Sequence, residues 1–457
     1  MGSSLRLRNG IIALTLTAIA SLAWPQGMAT VEAGKSPNTL TCSPAPCVLP
    51  NVQVDTLTYG SEPRALVLNP NNPNEMVLAA EDGNCGSSQG FFSTTDGGST
   101  WTGHGCTSSI NPLGEPIVGY DLNNTVFGGG LDDDTAILVH SSTDNGVDWG
   151  PSKVVDGSNG LGTFWGWMAV DTHLTSAFKN SIYVSSVDGG TYGNFTQVHV
   201  SHSADGGKHW RGKTLDSKQQ LGTYDLFPFT AVGDDGTVYV SWVRCKATGP
   251  NSDCGETSAP VFFTKSTDGG VTWSLLSVIA HTTLSPTIGC NGGFGCLPNV
   301  LASVANTPVS VVQGVGATAK IYLSFYNWTG SQMQVNVITS TDGGQTFGSP
   351  VRVSKSATGD EFLPWVALAQ DGTLAVSWLD RRNDPANLKY QPFLATSKDG
   401  KSFSRSLRLS SFLNDPSPFS GGLLEPSPSL WVGNAVYSTW IDFRTRHPRA
   451  ELGGAQF

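Results

Sequence analysis

The sequence predicts an all-β fold, a β-propeller built of four-stranded antiparallel blades. Three observations predict it. An eight-residue turn motif returns six times, a pair of short apolar strands returns seven times, and the composition is that of a turn-rich β protein, with 54 Gly, 26 Pro and only 14 % charged residues. A fixed internal repeat running through 457 residues argues for one closed array rather than a string of unrelated domains.

The chain opens on a segment of another kind. Arg6 and Arg8 precede an apolar run from Ile11 to Trp24, followed by small residues at Gly27-Met28-Ala29. That order reads as a secretory signal peptide over 1–29, with cleavage near Ala23 or Ala29, so the mature protein is expected outside the cell. The run is too short to span a membrane, and no other stretch reaches the ~18 apolar residues a spanning helix needs. Residues 30–50, rich in Ser, Pro and Asn, read as a disulfide-pinned lead-in to a single propeller domain over 51–457. Eight cysteines lie as near neighbours: Cys42 with Cys47, Cys85 with Cys106, Cys245 with Cys254, and Cys290 with Cys296. In an exported chain this favours four local disulfides, and no CxxC spacing marks a metal site.

The strand pairs then follow at 64–68 with 76–80, 116–120 with 125–129, 167–170 with 182–186, 228–232 with 238–242, 300–304 with 321–325, 363–369 with 373–379, and 429–432 with 435–441. After each of the first six comes the turn motif: Thr94 to Trp101 (TTDGGSTW), Ser142 to Trp149 (STDNGVDW), Ser203 to Trp210 (SADGGKHW), Ser266 to Trp273 (STDGGVTW), Ser340 to Phe347 (STDGGQTF), and the shorter Ser397 to Phe403 (SKDGKSF). Its Asp recurs at 96, 144, 205, 268, 342 and 399. That spacing exceeds the ~40–50 residues of common propeller repeats and leaves room for loops. Within the motif, Asp and Ser/Thr oxygens satisfy turn amides, Gly supplies a positive φ, and the aromatic plugs the blade, so the motif reads as fold hardware. The seventh pair has no such motif. Its outer strand is expected from Val52 to Tyr59, which would join the two ends of the ring and remove an exposed sheet edge. Seven blades are therefore favoured over six.

The pattern Ser/Thr-x-Asp-x-Gly-x-Thr-Trp/Phe resembles the Asp-box, or BNR, repeat of the sialidase superfamily. That resemblance implies a secreted propeller directed at glycans. Sialidases are six-bladed, which supplies the alternative count. They hold the substrate carboxylate with three arginines, use an Asp as acid/base, and attack with a Tyr activated by a Glu, departing from the usual pair of carboxylates.

In a four-strand meander, the start of the first strand and the end of the second share one face of the disc, and the box turns lie on the other. The first face receives Glu62-Pro63-Arg64, Glu115-Pro116, Trp165-Gly166-Trp167, Tyr224-Asp225, Glu361 to Trp365 and Glu425-Pro426. Second-strand ends add Glu81-Asp82, Asp188, Arg244, Asp380-Arg381-Arg382 and Asp442-Phe443-Arg444. Arginines there suit bidentate carboxylate recognition, and Trp365 offers a stacking surface for a sugar ring. From the resemblance, Arg64 matches the arginine opening the first blade, although its Arg-Ala-Leu lacks the family's Arg-Ile-Pro wording. Arg381 or Arg382, and Arg444, are the other candidates for the substrate carboxylate, with Arg244 in reserve. Asp82 takes the acid/base position, Tyr224 is the candidate nucleophile, and Glu361 or Glu425 its activator. The same charges also serve, in many repeats, only to bridge blades.

Asp132-Asp133-Asp134 offers oxygen ligands for Ca²⁺ without EF-hand spacing, so a solvated loop is the preferred reading and no cofactor is expected. A net charge of −10 argues against a nucleic-acid surface. Two functions stand: a glycoside hydrolase, most concretely an exo-α-sialidase and otherwise a glycosidase using two carboxylates such as Glu361 and Asp82 at ~5–9.5 Å, or a non-catalytic propeller binding carbohydrate or protein. Either is expected to work as a monomer on a glycan or glycoconjugate. On the first, Arg64→Ala should abolish turnover and leave the fold intact.

Overall fold

The computed structural model describes residues 40–108, 112–132, 136–157, 163–189, 195–247, 254–287, 294–417, 423–425, 427–445 and 447–457. The segment read from the sequence as a signal peptide, Asp133, Asp134 and Cys290 lie outside the described residues. Seven antiparallel blades form a ring. Blade 1 is Ser61–Asn69, Asn72–Asp82, Gln89–Thr94 and Gly103–Cys106; blade 2 is Pro112–Tyr120, Val126–Asp132, Ala136–Ser142 and Lys153–Gly157. Blade 3 is Thr163–Val170, Ile182–Asp188, Phe195–Ser203 and Arg211–Thr214; blade 4 is Thr223–Val232, Val238–Lys246, Ser258–Ser266 and Ser277–Thr283. Blade 5 is Val309–Gln313, Lys320–Trp328, Met333–Ser340 and Val351–Arg352; blade 6 is Glu361–Leu368, Leu374–Asp380, Gln391–Ser397 and Leu407–Arg408.

Blade 7 takes Ser429–Val432, Ala435–Asp442 and Arg449–Gln456, and its outer edge is filled from the other end of the chain. Cys47–Val48 and Val52–Gln53 both pair antiparallel with Arg449–Gln456. Closure thus begins earlier than the expected Val52 to Tyr59, inside the stretch read as a lead-in. Tyr437 extends the seam, since its hydroxyl donates to the Gly97 carbonyl of the first box at 2.8 Å. A second difference concerns blade 5, whose first strand is Val309–Gln313 and not 300–304. Ser303–Val304 instead pairs in parallel with Leu423–Leu424, a two-stranded crossing outside the blades. Both stretches are apolar and of strand length, and only the pairing distinguishes them.

Inner strands are buried on both faces, which is why they read as nearly continuous apolar runs: every residue of Glu361–Leu368 is buried, whereas the outer strand Arg211–Thr214 is mostly exposed. At the centre Trp167 of blade 3 packs on Phe229 of blade 4, with ring centroids 4.1 Å apart, and meets Trp365 of blade 6 at 5.8 Å. The box turns behave as their chemistry requires. In the fourth, Ser266 Oγ donates to Asp268 Oδ1 at 2.8 Å and accepts from Gly270 N, while Thr272 donates to Asp268 through both its N–H and its hydroxyl. The box aromatic seats against the preceding blade: Trp149 lies 4.5 Å from Phe91, and Phe347 lies 5.1 Å from Phe263.

One further repeat positions the functional face. The first strands of blades 2, 3, 4 and 6 each carry a register shift, at Glu115-Pro116, Trp165-Gly166, Phe227-Pro228 and Leu363-Pro364. The first residue of each couple sits at φ 51–53°, a left-handed conformation that non-glycine residues adopt at a cost. Blade 1 has its own shift between Pro63 and Ala65, placing Arg64 on the bulge. A bulge re-aims the side chain it carries and strengthens local twist. Here it does so at the same height in five of the seven blades.

Candidate functional site

The bulged residues and their neighbours form a chain of interactions around the mouth of the ring. Arg64, 1 % exposed, pairs through Nη1 with Glu425 at the approach to blade 7 and through Nε with Glu81 Oε1 at 3.4 Å. Glu81 Oε1 in turn accepts the backbone N–H of Glu115 in blade 2 at 2.5 Å, and Glu115 Oε2 accepts that of Gly166 in blade 3 at 3.2 Å. Each carboxylate therefore caps the bulge of the next blade. Beyond Gly166 the relay becomes aromatic: Trp165 packs on Phe227 at 4.8 Å, and Phe294 closes over both at 5.8 and 5.3 Å.

Four glutamates, Glu62, Glu81, Glu115 and Glu425, thus surround or approach one buried guanidinium, and the charges do not balance if all are ionised. Burial, reinforced by the neighbouring Glu81, pushes Glu62 up to about 8. Burial likewise raises Glu81 to about 7 against the opposing pull of Arg64, and raises Glu115 well above the carboxylate range. For Arg64, burial pulls downward, to about 10. Burial thus favours the neutral carboxylic acid in these three glutamates, the form that can donate a proton as well as accept one.

A second buried guanidinium follows the second strand of blade 6. Arg381, 0 % exposed, donates from Nη1 to the Pro298 carbonyl at 2.6 Å and lies 3.6 Å from Asp360, while among the described residues its Nε and Nη2 make no hydrogen bond. Tyr390 shares this environment. Its hydroxyl donates to the Ile441 carbonyl at 2.7 Å, and burial, with Asp442 and Glu62 nearby, drives its pKa well upward.

No protein-family model and no curated protein matches the sequence. Solved structures do match as folds. An ulvan lyase, described as a new family of polysaccharide lyase, superposes with a TM-score of 0.55 at 10 % identity, over 89 % of this chain and 96 % of that one. An α-L-arabinanase of Penicillium chrysogenum gives 0.46 at 12 % over 75 % and 92 %, and the intramolecular trans-sialidase of Ruminococcus gnavus gives 0.43 at 11 % over 72 % and 92 %. The first likeness is one of fold alone. The other two superpose too loosely to carry an argument.

The residues singled out from the sequence are found as follows. Arg244 is held by Asp216 and, at 2.7 Å, by Asp225, and lies over the Phe262 ring. Arg382 pairs with Asp380 at 2.5 Å and covers Phe393; Arg444 pairs with Asp442 at 2.7 Å and Glu451 at 2.5 Å. All five arginines are therefore engaged by carboxylates of the protein itself. Arg64 and Arg381 are fully buried and Arg444 is 41 % exposed. Trp365 is 0 % exposed and packs the ring centre. Asp82, Tyr224 and Glu361 stand on blades 1, 4 and 6. Asp82 Oδ2 meets His104 Nε2 at 2.7 Å and Oδ1 accepts from Asn84; Tyr224 Oη accepts the Gly222 N–H at 3.3 Å; Glu361 takes Arg352 Nη2 at 3.1 Å.

The relay is the part of the site that no single stretch of sequence displays. A signal for it is present, since Glu-Pro occurs at 62–63, 115–116 and 425–426, each read from the sequence as the start of an inner strand. Tyr390 gave none, because it precedes a third strand and not a first. Among the described residues the one grouping with metal-ligand chemistry is Cys85, His104 and Cys106, and its two sulfurs are joined in a disulfide. Cys42–Cys47 and Cys245–Cys254 are bonded as well, and Cys296 is disulfide-bonded.

Proposed function

We propose that the protein is a secreted glycan-directed hydrolase working at the inner-strand face of the ring, with the carboxyl groups around Arg64 supplying the acid and base. The observation that carries this reading is the burial of Glu62, Glu81 and Glu115 together around the Arg64 guanidinium, a burial that favours the neutral acid in each. Cleavage of a glycosidic bond needs a neutral acid to protonate the leaving oxygen and an ionised partner to stabilise or attack the sugar. Glu62 and Glu81, at 8 % and 6 % exposure, are the members of the cluster nearest solvent. Fold likeness to a polysaccharide lyase supports a carbohydrate as the substrate class.

The finer reading is removal of terminal sialic acid. Arg64 and the Asp boxes support it, with Asp82 as acid/base, Tyr224 as nucleophile and Glu361 as its activator. Glu62 beside Tyr390 and Arg381 is the competing Tyr–Glu arrangement. A non-catalytic glycan-binding propeller is favoured by one observation, the pairing of all five arginines with the protein's own carboxylates. The deciding experiment is turnover of a fluorogenic glycoside panel, α-sialoside included, by the purified chain beside Glu81→Gln and Arg64→Lys. Release of sialic acid that falls about a hundredfold or more in Glu81→Gln supports the sialidase reading. Turnover of neutral glycosides alone moves the assignment to a glycosidase using two carboxylates, and no turnover from a folded protein that retains glycan binding establishes the binding propeller.

A further inference from the structure

The six boxes are not equivalent. In the first, third, fourth and fifth, the second carboxylate oxygen of the box Asp is occupied by the side chain four residues on: Thr100 and His209 at 2.6 Å, Thr272 and Thr346 at 2.5 Å. In the second box that residue is Asp148, which has no proton to give as a carboxylate, and among the described residues Asp144 Oδ2 makes no hydrogen bond, as Asp399 Oδ2 makes none in the short sixth box. The same box carries Asn145 at φ 64°, where those four have Gly97, Gly206, Gly269 and Gly343 at φ 69–74°. Its amide has a task there: Oδ1 accepts from the Tyr120 hydroxyl, and Nδ2 donates to the Thr94 carbonyl of the first box at 3.1 Å. The second box is thus locked to blade 1 and left open on its outer side.

Beside it lies a cleft of about 490 Å³ between blades 1 and 2, on the box face, opposite the site described above. That volume falls within the ~300–1,000 Å³ of small-molecule sites. We propose that this cleft binds an uncharged, hydroxyl-rich ligand, in chemical class a neutral oligosaccharide. Among the described residues, four of its solvent-exposed lining groups make no hydrogen bond within the protein: Asn71 Oδ1 and Asp144 Oδ2, which accept, Asn124 Nδ2, which donates, and Thr143 Oγ1, which does both. Hydroxyl groups, each donor and acceptor at once, complement such a mixture.

Other ligand classes fit less well. Glu75 and Asp144 in the lining, with no Lys or Arg beside them, repel an anion. A cation lacks converging ligands, because both Glu75 oxygens are held at 2.7 Å by the amides of Asn69 and Asn72, and no three carboxylates gather here among the described residues. The Tyr120 ring is 2 % exposed and gives no stacking platform, so recognition rests on hydroxyl pattern.

The test is titration of maltotriose, cellotriose, mannotriose and xylotriose, and separately of calcium chloride, into the full chain and into an Asn124→Gly, Thr143→Val double variant. Gly keeps the φ of 63° at 124, so the variant should melt with the parent. Binding of at least one trisaccharide that weakens about tenfold or more in the variant, and persists in Glu81→Gln, supports the site. Absence of binding by all four, equal binding by parent and variant, or saturable Ca²⁺ binding lost in the variant would each overturn it.

Discussion

Arg64 shows how a single side chain ties stability to chemistry. Its guanidinium is the counter-charge for Glu81 and Glu425 and lowers the cost of ionising Glu62 and Glu115. Arg64→Ala therefore leaves buried carboxylates unpaired, and we expect a loss of about 3–5 kcal/mol in denaturant unfolding, contrary to the fold-neutral outcome the sequence invited. The pH dependence follows from the same cluster. Glu62 and Glu81, at about 8 and about 7 in the fold against an ordinary 4.5, contribute stability that is complete below 4.5 and is lost as pH rises through 7 and 8. The box aspartates act in the opposite sense. Hydrogen bonds from Thr272 and Thr346 hold Asp268 and Asp342 at about 2, so their contribution is present above the ordinary 3.8 and is lost as pH falls toward 2. Melting temperature should accordingly peak near pH 4–5 and decline on both sides. Glu62→Gln should flatten the alkaline limb and leave the acid limb unchanged; an alkaline limb identical to the parent's would remove Glu62 from the account.

At the scale of the element, the boxes and the bulges differ in how openly the sequence declares them. A box needs a hydroxyl, a carboxylate, glycines and an aromatic within eight residues, so its chemistry is written locally. Gly344 illustrates the demand: at φ 82° a Cβ would stand 2.7 Å from Phe263, whereas at Gly206, φ 72°, it would meet nothing within 4 Å. Gly344→Ala should cost about 2–4 kcal/mol and Gly206→Ala about 1 kcal/mol, a difference readable in parallel urea melts. The bulges are less legible. A left-handed Glu115, Trp165, Phe227 or Leu363 has no sequence signature except the Pro or Gly after it, and it is pairing with the second strand that creates the shift. The first strand of blade 5 is illegible for a related reason, since 300–304 and Val309–Gln313 are both apolar and of strand length. For the site, the sequence located charged residues at strand ends but could not say which charges meet. Arg64, Glu81, Glu115 and Glu425 come from three blades and are brought together only by ring geometry.

For the whole molecule, the seam between blades 7 and 1 decides integrity. Cys47–Val48 and Val52–Gln53 complete the last sheet, and Arg449 donates to Asp55 at 3.1 Å. Removal of residues 40–53 should expose the Arg449–Gln456 edge, lower the melting temperature and produce concentration-dependent association in light scattering. A monomeric variant that melts with the parent would show that the ring closes without this segment.

The same seam sets an order of events. Residues near 47 cannot find their partners until those near 455 exist, and the contact between Cys42 and Gln456 spans 414 positions. Blades 1 to 6 are each local hairpins, free to form as the chain lengthens, while the seventh waits for the two ends to meet. Loop-closure entropy and high sequence separation both slow such a step. Until it occurs the protein is an open arc with two unpaired edges, and the Glu425–Arg64 pair, which straddles the gap, is absent. Any activity that depends on Arg64 therefore begins only with the last strand to arrive.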